Sequence, residues 1–214
     1  MFPPVDHLPL LVAVGWLVRA PLVSREEGHE AIARAAWEGL SLTGDQQAAL
    51  IRGVRAPDVS LAGFLVSALP FTQRRHALRA WSGSSTADAV RDVRAFLAAS
   101  HARAVALPEG RRRWEAFGEL LHCLQDSYSP AHVDRNGGHV LRMKHWGPLD
   151  ALRGHRDEHG FPSDPRDRAW HGGELTEEAV AAVEASRAYL EIATSETGTG
   201  DLAAFLDGRL RAVP

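Results

Sequence analysis

His122-Cys123-Leu124-Gln125-Asp126-Ser127-Tyr128-Ser129-Pro130-Ala131-His132 places a histidine and an aspartate four residues apart, then a proline two residues before a second histidine. On a helix, residues four apart share one face, so His122 and Asp126 can grip one cation between them. Pro130 ends the helix and lets the chain swing His132 back toward the same point. Three ligand-type side chains then converge on one small volume. A hydrogen-bonded His–Asp pair without metal satisfies the first part of the spacing equally well.

The segment before the motif explains why it belongs on a helix. Arg111 to Tyr128 carries Trp114, Phe117, Leu120, Leu121 and Leu124 at helical spacing. Upstream, Thr86 to Leu107 reads as a long helix with Val90, Val93, Phe96, Leu97, Ser100, Ala104 and Leu107 inward, ended by Pro108 and Gly110. Arg25 to Leu40 reads as a helix with Ser24 and Glu27 as a capping box. Shorter helices are expected over Asp45–Val54, Asp58–Leu69 and Thr72–Trp81. Thr176–Ser195 is amphipathic, with Glu177 and Glu178 near its positive end, and Asp201–Val213 closes the chain as a short helix. Little alternates with period two. The chain therefore reads as one all-α domain over 1–214, with a lead segment 1–23, a ligand-bearing region 24–170 and C-terminal helices 175–213. Ser129 to Gly173, full of Gly, Pro, Asp and His, reads as one long irregular segment, and such segments are usually functional.

Composition narrows the chemistry. The chain has 214 residues, 45% of them apolar, enough for a sizeable core. Its net charge of −3 gives no bulk attraction for nucleic acid. Cys123 is the single cysteine, so neither a disulfide framework nor a thiolate cluster is available. Any metal must be held by carboxylates and by members of a set of 11 histidines. Leu8 to Val18, the one strongly apolar run, is too short to span a bilayer. Ala13-Val14-Gly15 is similar to a signal-cleavage site, but no basic residue precedes the run, which favours an uncleaved, cytoplasmic chain over one secreted after cleavage before Trp16.

Taken one at a time, the remaining candidates have ordinary readings. His29 fits a core histidine, Asp58 an N-cap, and His76, beside Arg74, Arg75 and Arg79, a solvated helix face. His101 reads as a surface residue. His155 and His159, four apart around Asp157 and Glu158, fit a polar loop as well as a metal site.

Taken in order, they make a pattern. Leu121-His122-x-x-Gln125-Asp126-x-Tyr128-Ser129-Pro130-Ala131-His132 resembles the central motif of bacterial phospholipase C-like proteins in the zinc-dependent phospholipase C and S1/P1 nuclease superfamily. Gly28-His29-Glu30-Ala31-Ile32 with Ala35 is similar to that family's early histidine helix, and Val54-Arg55-Ala56-Pro57-Asp58 to its Pro-Asp turn. The resemblance runs from Ser24 to Trp170. It implies an all-α fold and two to three zinc ions. It also implies hydrolysis of a small-molecule or lipid phosphate ester, with nucleic acid disfavoured by the charge. By the same resemblance, the first zinc takes Asp58, His76, His122 and Asp126, and Asp126 bridges to a metal shared with His29. Another zinc takes His132, His155 and a carboxylate four residues on. Position 159 is His instead, which leaves His159, Glu158 or Asp157 to complete that site, or His145 with Asp150 nearby. The family's N-terminal tryptophan ligand would be Trp16 after cleavage; otherwise His7 or Asp6 stands in, or that site is incomplete. Asp58 would also orient or deprotonate the attacking water, Arg135 either meets substrate phosphate or lies on the surface, and Gln125, on the opposite side of the turn from Asp126, is structural.

Two rivals remain open at this stage: a non-catalytic helical protein that keeps metal for stability, and an enzyme recruited to non-hydrolytic biosynthetic chemistry on the same fold. A di-iron carboxylate bundle needs paired Glu-x-x-His motifs, which the chain does not offer.

Overall fold

In the computed structural model the described residues are 28–59, 73–80, 83–145, 170–171, 174–195 and 199–213. They form six α-helices, a 3₁₀ turn and two small sheets. Helix α1 is Gly28–Trp37, α2 Gly44–Val59, α3 Thr86–Ala106, α4 Arg111–Asp126, α5 Glu177–Thr194 and α6 Thr199–Arg209. The 3₁₀ turn η1 is Arg74–His76. Strands β1 (Val133–Asn136), β2 (His139–Met143) and β5 (Arg211–Ala212) make a sheet in the order β1-β2-β5. The β1–β2 pair is antiparallel and β2–β5 parallel. Strands β3 (Trp170–His171) and β4 (Glu174–Leu175) pair separately.

Helix α4 is the axis of the molecule. Its start, Arg111-Arg112-Arg113, is polar, but from Leu120 to Asp126 every side chain is buried. A helix with no solvent face must be surrounded, and α1, α2, α3 and α5 all pack on it. The closest approach is α2 on α4, through two glycines. A Cβ built on Gly53 would lie 2.0 Å from the Glu115 carbonyl oxygen, and one on Gly118 would lie 2.2 Å from that of Leu50. Only hydrogen fits at either position, so the two backbones touch.

Caps behave as the side chains dictate. Ser85 Oγ accepts from the Asp88 amide at 3.0 Å, and Thr176 Oγ1 from that of Ala179 at 3.1 Å. Helix α4 ends without proline in its last turn. Tyr128 and Ser129 switch to i−3 amide bonds on Gln125 and Asp126 carbonyls, and Ser127 Oγ donates to the Leu124 carbonyl at 2.6 Å. Ser129, which precedes Pro130, is disfavoured from continuing the helix.

Four expectations change. Helix α2 runs on through Pro57 to Val59, so Asp58 sits in a helix's last turn and does not cap a start. The helix expected over Thr72–Trp81 does not continue past His76, because Ala77 turns left-handed at φ 51° and the Arg79 amide then pairs with the Lys144 carbonyl at 2.8 Å; Thr72 and Trp81 themselves lie outside the described residues. The irregular segment from Ser129 begins with an ordered hairpin, turned at Gly137-Gly138, where Gly137 has φ 54°. The last helix stops at Arg209, and Arg211-Ala212 becomes a strand. Mostly helical with a small sheet is the accurate description. Residues 1–27, 60–72 and 146–169 lie outside the described set, and with them the apolar run Leu8–Val18 and the capping box.

Candidate metal centre

The buried C-terminal end of α4 carries three polar side chains, His122, Gln125 and Asp126, each of which needs a partner. Asp126 is the hub. His122 Nε2 lies 3.0 Å from its Oδ2 and His76 Nδ1 3.2 Å from the same oxygen. Its other oxygen, Oδ1, faces His29 Nε2 at 3.1 Å and His132 Nε2 at 3.7 Å. Asp58 closes one side, its Oδ1 3.7 Å from His122 Nε2 and 3.9 Å from His76 Nδ1.

Five elements deliver these groups: α1 His29, the last turn of α2 Asp58, η1 His76, α4 His122 and Asp126, and the turn before β1 His132. His132 is pinned by its amide on the Ser129 carbonyl at 3.0 Å and by the Lys144 amide on its own carbonyl at 2.8 Å. Lys144 also reaches the Pro130 carbonyl and Asp134, so the end of β2 braces the whole turn.

The rings are held by their outer nitrogens. His29 Nδ1 donates to Gln125 Oε1 at 2.8 Å, His122 Nδ1 to the Val54 carbonyl at 3.0 Å, and His132 Nδ1 to the His76 carbonyl at 2.7 Å. A carbonyl oxygen only accepts, so each Nδ1 carries the proton. In the neutral ring each Nε2 is then a bare lone pair. All three lone pairs aim at a carboxylate, which is also only an acceptor. His76 Nδ1, 3.0 Å from His122 Nε2, joins the same group. Acceptors facing acceptors at this range repel unless positive charge lies among them, either as protons on the rings or as cations.

The electrostatics agree with that demand. Burial alone would raise the Asp126 pKa, but His122, His132 and His29 outweigh it and hold the carboxyl well below its ordinary range. The spacing also suits a cation. Ligand atoms bonded to tetrahedral zinc at about 2.0–2.2 Å sit roughly 3.3–3.6 Å apart. The separations among His76, His122, Asp126 and Asp58 bracket that value. Two overlapping groups can hold an ion: His76, His122 and Asp126, and His29, Asp58 and His122. Among the described residues the centre is open on one side. His122 and Asp126 side chains are 0% and 1% exposed, whereas His29 is 25% and Asp58 52% exposed.

Of the residues singled out in the sequence, His29, Asp58, His76, His122, Asp126 and His132 come together. His155, His159, Glu158, Asp157 and Asp150 lie outside the described residues, as do Trp16, His7 and Asp6. His145 is half-buried just after β2 and belongs to neither ion-holding group.

Three readings are corrected. His101 is 2% exposed, with Nδ1 3.1 Å from Tyr189 Oη and its ring near Phe117, so it is a core residue far from a surface role. Arg135 neither reaches for substrate nor lies free on the surface. It stacks over Tyr128 at 4.3 Å and donates to the Ser127 and Arg209 carbonyls at 2.7 and 2.9 Å, tying the turn after α4 to the end of α6. Gln125 does not face away from the centre, since it orients His29. That role was open to sequence reasoning, because a buried amide beside a ligand must bond something polar.

No protein-family model, curated protein or solved structure matches this chain.

Proposed function

We propose that this chain is a zinc-dependent hydrolase of phosphate esters with a multinuclear metal site. One observation carries the reading: three imidazoles, each locked by a carbonyl on its outer nitrogen, turn their Nε2 atoms toward both oxygens of one buried aspartate. Metal-ligating histidines are fixed in this way, by a hydrogen bond from the nitrogen that does not bind metal. Asp58, His76, His122 and Asp126 would hold one zinc, and His29 with the far oxygen of Asp126 would contribute to another. His132 also faces that oxygen, and its further partners in a second site would come from His155, His159 or Glu158.

Zinc, when bound, supplies Lewis-acid neutralisation of phosphate charge and acidifies water. The chain's own groups do the rest. Asp58, half-exposed at the rim, orients a water and takes its proton. Buried Asp126 stays ionised and acts as a fixed anion at the base of the site. The exposed edge at His29 and Asp58 leaves room for a substrate. That opening favours a catalytic role over a purely structural metal, which would be closed by protein ligands. A soluble or lipid phosphate ester suits the site better than nucleic acid, given the net charge of −3.

Elemental analysis of protein purified without a histidine tag tests the reading. Two to three zinc per chain, with hydrolysis of a simple phosphodiester that Asp58→Asn lowers by about a hundredfold or more, is the expected result. A chain that takes up no metal even after added zinc overturns it. Full metal content with no turnover of any phosphate ester would leave a metal-stabilised helical protein, or other chemistry on the same ligands.

A further inference from the structure

Ala95, Phe96, Ala99 and Arg103 stand on one face of α3, spaced by successive helical turns. With Arg74 and Arg75 of η1 they line a groove of about 210 Å³. Alanine at 95 and 99 keeps the floor low. Phe96 is half-buried, and the Arg74 guanidinium lies 5.8 Å from its ring centre. Arg103 donates to Ser100 Oγ at 2.9 Å, which fixes its reach.

Among the described residues the charge in this groove is uncompensated. Arg52, Arg55, Arg91, Arg94, Arg111 and Arg113 each pair with a carboxylate. Among the described residues Arg74, Arg75 and Arg103 pair with none. Three guanidinium groups around one groove repel each other, and an anion of higher charge would relieve that repulsion. The planar guanidinium fork matches phosphate oxygens in pairs.

The groove is separate from the metal centre. A 3₁₀ turn has three residues per turn, so Arg74, Arg75 and His76 leave η1 in different directions. His76 goes to Asp126, while the two arginines join the α3 stripe.

We propose that this groove binds a small organic phosphate, its phosphate on the arginines and its carbon part on Phe96. The volume lies below the roughly 300 Å³ at which drug-sized pockets begin, which suits one small molecule. A membrane surface would need apolar anchors beside the charge. Among the described residues, none of the exposed large hydrophobics, Val105, Leu141, Val180 and Val213, lines the groove. A nucleic acid strand would need a longer basic track. The proposal stands whether or not the metal reading holds.

Phenylphosphonate is the probe, because it sets a dianion on an aromatic ring through a bond a phosphoesterase does not cleave. Calorimetric titration of the full chain should show saturable one-to-one binding that persists with a chelator present. The Arg75→Ala/Arg103→Ala double variant changes only exposed side chains and should bind about tenfold more weakly or worse. Unchanged binding in the double variant overturns the proposal. So does binding that the chelator abolishes, which would place the ligand at the metal centre. Absence of saturable binding in the millimolar range overturns it too. If the chain instead sediments with phosphatidylcholine vesicles containing phosphatidic acid, or shifts single-stranded RNA, while ignoring phenylphosphonate, the arginines serve a lipid surface or a nucleic acid and the proposal falls.

Discussion

The Nδ1 of His122 donates to the carbonyl oxygen of Val54 across 3.0 Å, so the most buried ring of the centre takes its orientation from the backbone of a different helix. That carbonyl follows Gly53, whose close contact with α4 brings the two helices near enough for the bond. Helix packing and ligand tautomer are therefore one geometric fact.

Gly118→Ala should test that fact. Its new methyl would sit 2.2 Å from the Leu50 oxygen and 2.7 Å from the Val54 nitrogen, both backbone atoms that cannot step aside alone. Forced separation of the helices should cost about 2 kcal/mol or more, outweighing alanine's advantage over glycine of about 1 kcal/mol in a helix. Urea denaturation of metal-free protein reads the loss. A variant as stable as the parent would mean that α2 and α4 are not in backbone contact.

His122→Ala and Asp126→Asn should strip zinc while the far-ultraviolet circular dichroism stays helical. Chelation of the parent should lower its Tm, and added zinc should restore it, because a ligand that binds only the folded state stabilises it. Full zinc content in both variants would remove the assignment.

Gln125→Leu should act more narrowly. It frees His29 Nδ1 from its 2.8 Å acceptor and leaves the ligands His76, His122 and Asp126 in place. Loss of such an orienting partner typically weakens metal binding about 10–100-fold. Zinc titration should then show one weakened site beside an unchanged one. Equal weakening of every site would indicate a general loss of structure.

His101 predicts a slope of stability with pH. Burial lowers its pKa in the folded chain below the ordinary value near 6.5. The unfolded chain therefore binds the proton more readily. Stability is full above about pH 6.5 and falls as pH drops from there toward the folded pKa. His101→Gln, which can still bond Tyr189, should flatten that part of the profile in chelator and leave zinc content unchanged. A parent-like slope would trace the effect to other histidines.

Helical periodicity made α1, α3, α4 and α5 readable, because each buries a stripe that recurs every three or four residues. His101 shows how the same rule was under-used. It stands four after Leu97 and three before Ala104, on the buried stripe, yet its polar chain neighbours suggest a surface. Its true neighbours, Phe117 and Tyr189, come from other helices. The hairpin had a signal too, Gly137-Gly138, obscured by the asparagine, histidine and charge around it. For the centre, the spacing of His122, Asp126 and His132 was local and legible from the residues alone. Asp58 and His76 were not, since only the crossing of α2 and the position of η1 bring them to α4. Their place in the order of the chain pointed to them through resemblance, and physics of the isolated segments did not.

The pairing of β5 with β2 gives the centre an order of assembly. Strand β5 follows β2 in the chain only after all of α5 and α6, and Arg135 needs the Arg209 carbonyl from the same region. During synthesis, the hairpin that braces His132 therefore waits with an open edge until those helices have emerged. On the proposed metal reading, an ion captured earlier on the ribosome would meet His122 and Asp126 without a fastened His132, and its coordination sphere would be completed late in the life of the nascent chain.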